Sequence, residues 1–164
     1  MFASQEKVQG RPIRLIAAAC KNMGIGKNGR LPWTLPMEFQ YLLDKISSVS
    51  RPGKKNLLVW GRICWFSTPE NLHPIDNAVN VVLSKTIRCA SDLHLAQKAL
   101  AHPWCDLIYL TDIMADFDCD TFFPGFDRSV YRLQDRFPGV PDECQQECGI
   151  RYKFQVFKKE LGYR

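Results

Sequence analysis

Glu38 is the residue from which a chemistry can first be argued. It stands three residues after Leu35 and four before Leu42, in a stretch where Leu35, Phe39, Leu42, Leu43 and Ile46 recur at helical spacing. An acid on or beside the buried face of such a helix costs free energy unless something compensates it, and a ligand with paired N–H donors would do so. The simpler alternative places Glu38 in the first helical turn, where the positive end of the helix dipole favours a carboxylate. The pattern leaves these two readings level. Just upstream, Gly24, Gly26 and Gly29 punctuate the segment Asn22 to Arg30. Such glycines let backbone approach a flat ligand closely, and they equally make an ordinary mobile loop.

These residues need elements to hold them. Thr34 is placed to cap the helix and Pro36 falls in its first turn. Ile13 to Cys20 is apolar nearly throughout, as expected of an interior parallel strand that would precede the glycine segment. Further along, 26 residues separate Ser84 from Thr111. One strand–helix–strand crossover takes ~30 residues. The interval therefore holds a single helix, Leu93 to Ala101, between strands at 79–83 and 107–111. There is no repeat, low-complexity tract or linker, so residues 1–164 are expected to form one domain, with 1–10 a disordered N-terminal extension.

Composition narrows the classes. At 164 residues with 46% hydrophobic and 24% charged side chains, the chain has the balance of a globular domain. It has no apolar run near the roughly 18 residues that would span a bilayer. Arg11 and Arg14 precede an apolar run that ends Ala17, Ala18, Ala19, Cys20, faintly like a lipoprotein cleavage site, but polar Gln5 to Gly10 upstream argues against a signal peptide. Seven cysteines without a Cys-x-x-Cys pair suit reduced thiols and a cytoplasmic location. Cys144 and Cys148 have no neighbouring His, so no metal site is expected. The net charge of +5 suits a phosphorylated cofactor or weak RNA binding. Because Lys and Arg never run longer than two, a solvated basic surface is the better reading.

The string Asn-Met-Gly-Ile-Gly-Lys-Asn-Gly-Arg-Leu-Pro-Trp at 22–33, with an acid five residues after Trp33, resembles the dihydrofolate reductase signature. Asn56 to Pro69, Asn80 to Ser84, Thr111 to Met114, Asp120 to Pro124 and Gly149 to Phe157 match the family in order. Together these cover most of 11–84 and 102–158. The resemblance implies an α/β domain with flanking helices and a largely parallel sheet that ends in a C-terminal antiparallel hairpin. It also implies a monomeric oxidoreductase of one-carbon metabolism that reduces 7,8-dihydrofolate to tetrahydrofolate with NADPH. Glu38 would bind the pterin's amino and ring N–H groups and support protonation of its N5, while Trp33 and Thr111 would position an ordered water and the carboxylate. Ile16, Phe39 and Leu42 would line the substrate cleft, Leu42 standing where many relatives have Phe. Ala18, Gly24, Ile25, Gly26, Lys27, Asn28, Gly29, Arg30, Arg62, Ser84 and Lys85 match cofactor-contacting positions, with Arg62 and Lys85 suited to the 2′-phosphate.

Three departures from the family pattern bear on activity. Ala78 stands where the family carries an Arg that grips the substrate's glutamate carboxylate, and Ile63 and Cys64 replace a polar residue and a Thr. More serious, the family places two helices and an interior strand ending in Gly-Gly between the positions of Ser84 and Thr111. None of this chain's ten glycines adjoins another. The loss would remove a helix N-terminus from the cofactor pyrophosphate. It should also break the ladder between the strand's neighbours and leave apolar surface uncovered. The expected activity is therefore an impaired reductase. The alternatives are a catalytically dead pterin- or folate-binding relative, a deletion product of altered splicing or a gene model lacking an exon, and, from another class, a basic RNA-binding protein.

Overall fold

A computed structural model describes residues 12–49, 52–61, 70–72, 78–83 and 92–160. Strand β1 (Ile13–Ala19) runs parallel to β5 (Cys105–Ile113), pairing Ile16 with Tyr109 and Ala18 with Thr111. On its other edge β5 pairs antiparallel with β9 (Ile150–Lys159). β7 (Tyr131–Leu133) and β8 (Gln145–Glu147) share the far edge of β9. β8 and β9 meet in a two-residue turn in which Cys148 and Gly149 both take positive φ, 52° and 76°. That geometry matches the right-handed twist of the strands it joins. It is the C-terminal hairpin that the resemblance implies.

With partners on both edges, β5 is the best-buried strand, and Cys105, Ile108 and Ile113 on it are almost wholly enclosed. Pairing register and the two-residue period of a strand sort its neighbours by face. Ala19, Ile108, Leu110 and Phe157 pack on one side with Phe123 and Tyr131. Ala18, Ile113, Tyr152 and Phe154 lie on the other, with Cys20, Trp33 and Leu35. Thr111, paired with Ala18 and Phe154, shares this second face.

The glycine segment is more ordered than an open loop. β2 (Gly24–Gly26) pairs antiparallel with β6 (Thr121–Phe122). Beyond β2, Lys27 and Arg30 exchange both backbone hydrogen bonds, at 2.8 and 3.0 Å, across a turn in which Asn28 and Gly29 have φ of 51° and 75°. Asn-Gly is the dipeptide that such a turn favours. The remaining elements are helix α1 (Pro36–Ser47), a short 3₁₀ turn (Glu70–Leu72), and helix α2 (Asp92–Ala101). β3 (Asn56–Gly61) and β4 (Ala78–Leu83) form a parallel pair.

That pair stands apart. β1 is bonded only to β5, and β3 only to β4, so among the described residues no ladder joins the two sheets. The strands at 105–113 do not shift to fill the gap, because β5 is already held between β1 and β9. Leu57, Val59 and Val79 are largely exposed, and pairing of Leu57 with Val79 puts all three on one face. The broken ladder and the uncovered apolar surface both match the loss expected from the sequence. Parallel sheets ordinarily need both faces covered.

Candidate active site

Helix α1 carries the acid. The expected cap at Thr34 is not formed: the N-cap is Leu35, with no side-chain hydrogen bond of its own, and Pro36 supplies the first helical residue. The free N–H groups are taken instead from across the chain. Met37 N–H donates to Glu147 Oε2 at 2.9 Å and Glu38 N–H to Oε1 at 3.4 Å. A carboxylate in this position satisfies orphan donors and meets the positive end of the dipole together. Tyr152 donates its hydroxyl to Glu147 Oε1 at 3.4 Å. The tight β8–β9 turn thus fastens the hairpin to the start of the helix.

Glu38 is the buried residue of α1, at 5% exposure. Phe39, Leu42, Leu43 and Ile46, expected to form a buried face, are only half-buried. The helix packs on β3, which among the described residues is paired with β4 alone. Burial pushes the Glu38 carboxyl up to about 7, against a hydrogen bond from Thr111 that lowers it, and with the Glu147 charge raising it further. Near neutrality this side chain is close to half-protonated, so it can accept from a ligand's N–H groups or hold a proton for one.

Around it the second sheet face supplies a largely aromatic wall. Trp33 is buried and meets Phe117 edge-on with ring centroids 5.4 Å apart, yet its Nε1–H finds no acceptor. Tyr41 stacks on Phe154 at 3.8 Å, its hydroxyl likewise buried and unpartnered. Two orphaned donors and a buried acid on one cluster are what a polar, planar ligand would satisfy. Ile16, paired opposite Tyr109, and Ala18, opposite Thr111, lie on this face. Phe39 and Leu42 follow Glu38 on α1.

The structure places Trp33, Ala18, Ile16 and Thr111 on one face of the sheet, with Glu38 bonded to Thr111, and sets the segment Gly24, Ile25, Gly26, Lys27, Asn28, Gly29 and Arg30 after β1. Lys27 is paired with Asp118 at 3.2 Å, and Asn28 N–H donates to Asp120 Oδ2 at 2.9 Å. Arg62, Ser84 and Lys85 lie outside the described residues, as do Ile63, Cys64 and residues 1–10. Ala78 opens β4, opposite Asn56. Glu147 and Tyr41 were not legible as site residues. The Cys148-Gly149 pair signals a hairpin turn, but nothing in a sequence separation of 110 places its glutamate on α1.

Replacing Glu147 by Ala should lower the melting temperature by roughly 3 °C, the effect of losing about 1 kcal/mol of capping in a chain of this size. Glu147→Gln, which keeps an acceptor, should recover much of it. Thermal unfolding at pH 7 checks both, and equal melting temperatures for all three chains would show that the cap contributes nothing.

For a metal, no cluster of His, Cys, Asp or Glu with suitable placement occurs among the described residues. No helix among them is long and apolar enough to cross a membrane. For a dinucleotide, the fit is partial. Much of the glycine segment's backbone is already hydrogen-bonded, to β6, Asp120 and across the Lys27–Arg30 turn, and the open edge of β1 offers neither a strand ending in paired glycines nor a described helix N-terminus for the pyrophosphate.

Comparison with known proteins shows the family. The dihydrofolate reductase family profile matches residues 12–101. Dihydrofolate reductase of Mus musculus is 36% identical over 184 aligned positions, covering 92% of this chain and 98% of the relative. That of Heliothis virescens is 37% identical over 180, covering 90% and 97%. Both alignments are longer than the chain's 164 residues, so these relatives carry a stretch that this chain lacks. Among solved structures, Schistosoma mansoni dihydrofolate reductase superposes with a TM-score of 0.76 at 27% identity, covering 91% of this chain and 98% of that one. The family profile and these whole-length relatives together place the chain in the dihydrofolate reductase family.

Proposed function

We propose that this chain binds 7,8-dihydrofolate through the pocket around Glu38 and carries out its family's NADPH-dependent reduction to tetrahydrofolate at a much reduced rate. The observation that supports it most is the buried Glu38 carboxyl, held up to about 7, beside two unpartnered donors. Glu38 accepts from the pterin's amino and ring N–H groups and keeps a proton available on its N5 side. Thr111 fixes the carboxylate. Trp33 Nε1–H holds a water against it. Ile16, Phe39 and Leu42 flank the ring, and closure of this wall excludes bulk water from the proton. NADPH supplies the hydride when bound. Ala18, Gly24 to Arg30 and Ser84 would contact it, with Arg62 and Lys85 suited to its 2′-phosphate. Seven cysteines without a Cys-x-x-Cys pair support a cytoplasmic setting, and the chain acts as a monomer.

Titration with methotrexate tests the pocket. A ligand that binds only the folded chain stabilises it by mass action, by about 2.7 kcal/mol at a hundred times its Kd. The melting temperature should rise in step with occupancy. An unchanged melting temperature at saturating ligand would sink the reading.

A further inference from the structure

We propose that Cys20 and Cys119 form a reversible intramolecular disulfide by exchange with a low-molecular-weight disulfide, stapling the glycine segment to the β6 strand. The inference rests on the geometry of this corner and not on the folate reading. The two sulfurs are 3.8 Å apart, in contact but unbonded. A disulfide needs ~2.05 Å, a closure that side-chain rotation can supply when the backbones are already in place.

The backbones here are fixed independently. Cys20 ends β1, its N–H donating to Gly24 O at 2.9 Å, while Met23 N–H donates back to Cys20 O at 2.9 Å. On the other side, Asp120 N–H donates to Gly26 O at 2.9 Å and Phe123 N–H to Met23 O at 2.8 Å. The Cys20 thiol is aimed by its hydrogen bond to Asn22 Oδ1 at 2.9 Å. Gly24 keeps the corner open, because a Cβ there would collide with the Cys119 side chain. Among the described cysteines, no other two sulfurs touch: Cys105 lies buried elsewhere, and exposed Cys144 reaches Met114 and Gln145 O.

The chemistry has an order. Cys119 is the half-exposed partner and Cys20 the buried one. The Cys119 thiolate attacks one sulfur of oxidised glutathione, forming a mixed disulfide and releasing one glutathione thiolate, which takes up a proton. Cys20 then loses its proton and attacks the Cys119 sulfur, expelling the second glutathione. Two protein thiols and one glutathione disulfide thus become one protein disulfide and two glutathione thiols. Burial raises the Cys119 thiol, so formation should accelerate as pH increases above neutrality. The bridge would close a loop with a sequence separation of 99, a constraint that acts strongly on the unfolded chain.

The test is peptide mapping of the full chain after incubation with oxidised glutathione. The expected result is a linked peptide containing Cys20 and Cys119, lighter by two hydrogens than its reduced parts and released by dithiothreitol. A melting temperature higher by at least about 5 °C should accompany it. The rise should persist in Cys144→Ser/Cys148→Ser and vanish in Cys119→Ser. Glutathione on Cys119 with no linked peptide, or equal alkylation of both cysteines before and after oxidation, would overturn the proposal. The mapping result on the unaltered chain stands even where a variant does not fold.

Discussion

A chain repaired by inserting a Gly-Gly strand and its following helix between Lys85 and His102 is expected to oxidise NADPH in the presence of dihydrofolate at least ~100-fold faster than the present chain. That ratio corresponds to ~3 kcal/mol in the barrier. Among the described residues β1 keeps one open edge, which on the proposed function would leave the pyrophosphate without a helix terminus and the nicotinamide without a wall against the pterin. Affinity for the phosphorylated adenosine end can survive through cations elsewhere. Orientation cannot, and misplacing reacting atoms by about an ångström costs on the order of a hundredfold. Both chains should be assayed side by side after a check of folding, with Glu38→Ala as the baseline. Equal rates would refute the claim that the missing segment limits turnover.

Replacing Glu38 by Ala should weaken methotrexate binding by roughly 30-fold or more, because the ligand's buried N–H donors lose their acceptor at a cost of about 2 kcal/mol. Glu38→Gln separates charge from shape. The folded carboxyl titrates near 7, above its ordinary value of 4.5. Folding therefore favours its protonated form, and that advantage is complete below the ordinary value and lost as pH rises through about 7. Without ligand, the Gln variant should match the parent at pH 4.5 and melt higher at pH 8.5. Titration calorimetry and paired melts decide both points, and a Gln variant no more stable at pH 8.5 than its parent would show that Glu38 is not held in a desolvating site.

Much of this arrangement was legible in the sequence because local chemistry and global position agree. Ile13 to Cys20 reads as an interior strand; the strand forms over Ile13–Ala19, but among the described residues it lies at the edge of its sheet, paired with β5 alone. The 26-residue interval between Ser84 and Thr111 has room for one helix, and α2 occupies it. The two readings of Glu38 proved compatible, since it lies both in the first turn and in the core. What failed was local inference about ends and loops. Thr34 has the right chemistry for a cap, yet a carboxylate from a distant hairpin takes the N–H groups. The Asn28-Gly29 segment reads in sequence as a close approach to a ligand or as a mobile loop, and not as the paired turn that Lys27 and Arg30 close around it. Tyr41 looked like an ordinary helix residue because its neighbour, Phe154, is contributed by β9.

The separation of β3–β4 from the main sheet has a consequence for how the molecule opens. Cooperative units of a fold part along lines where few backbone bonds cross, and among the described residues no ladder crosses between β1 and β3. The β3–β4 pair should therefore release its amide protons to solvent through partial openings well before β5 and β9, whose amides should report the unfolding of the whole chain. Native-state hydrogen exchange would see two populations, and limited proteolysis would cut first on the β3–β4 side. The lost segment would then have removed the seam that made two halves unfold as one, leaving a protein whose pocket wall on α1 leans on its least durable part.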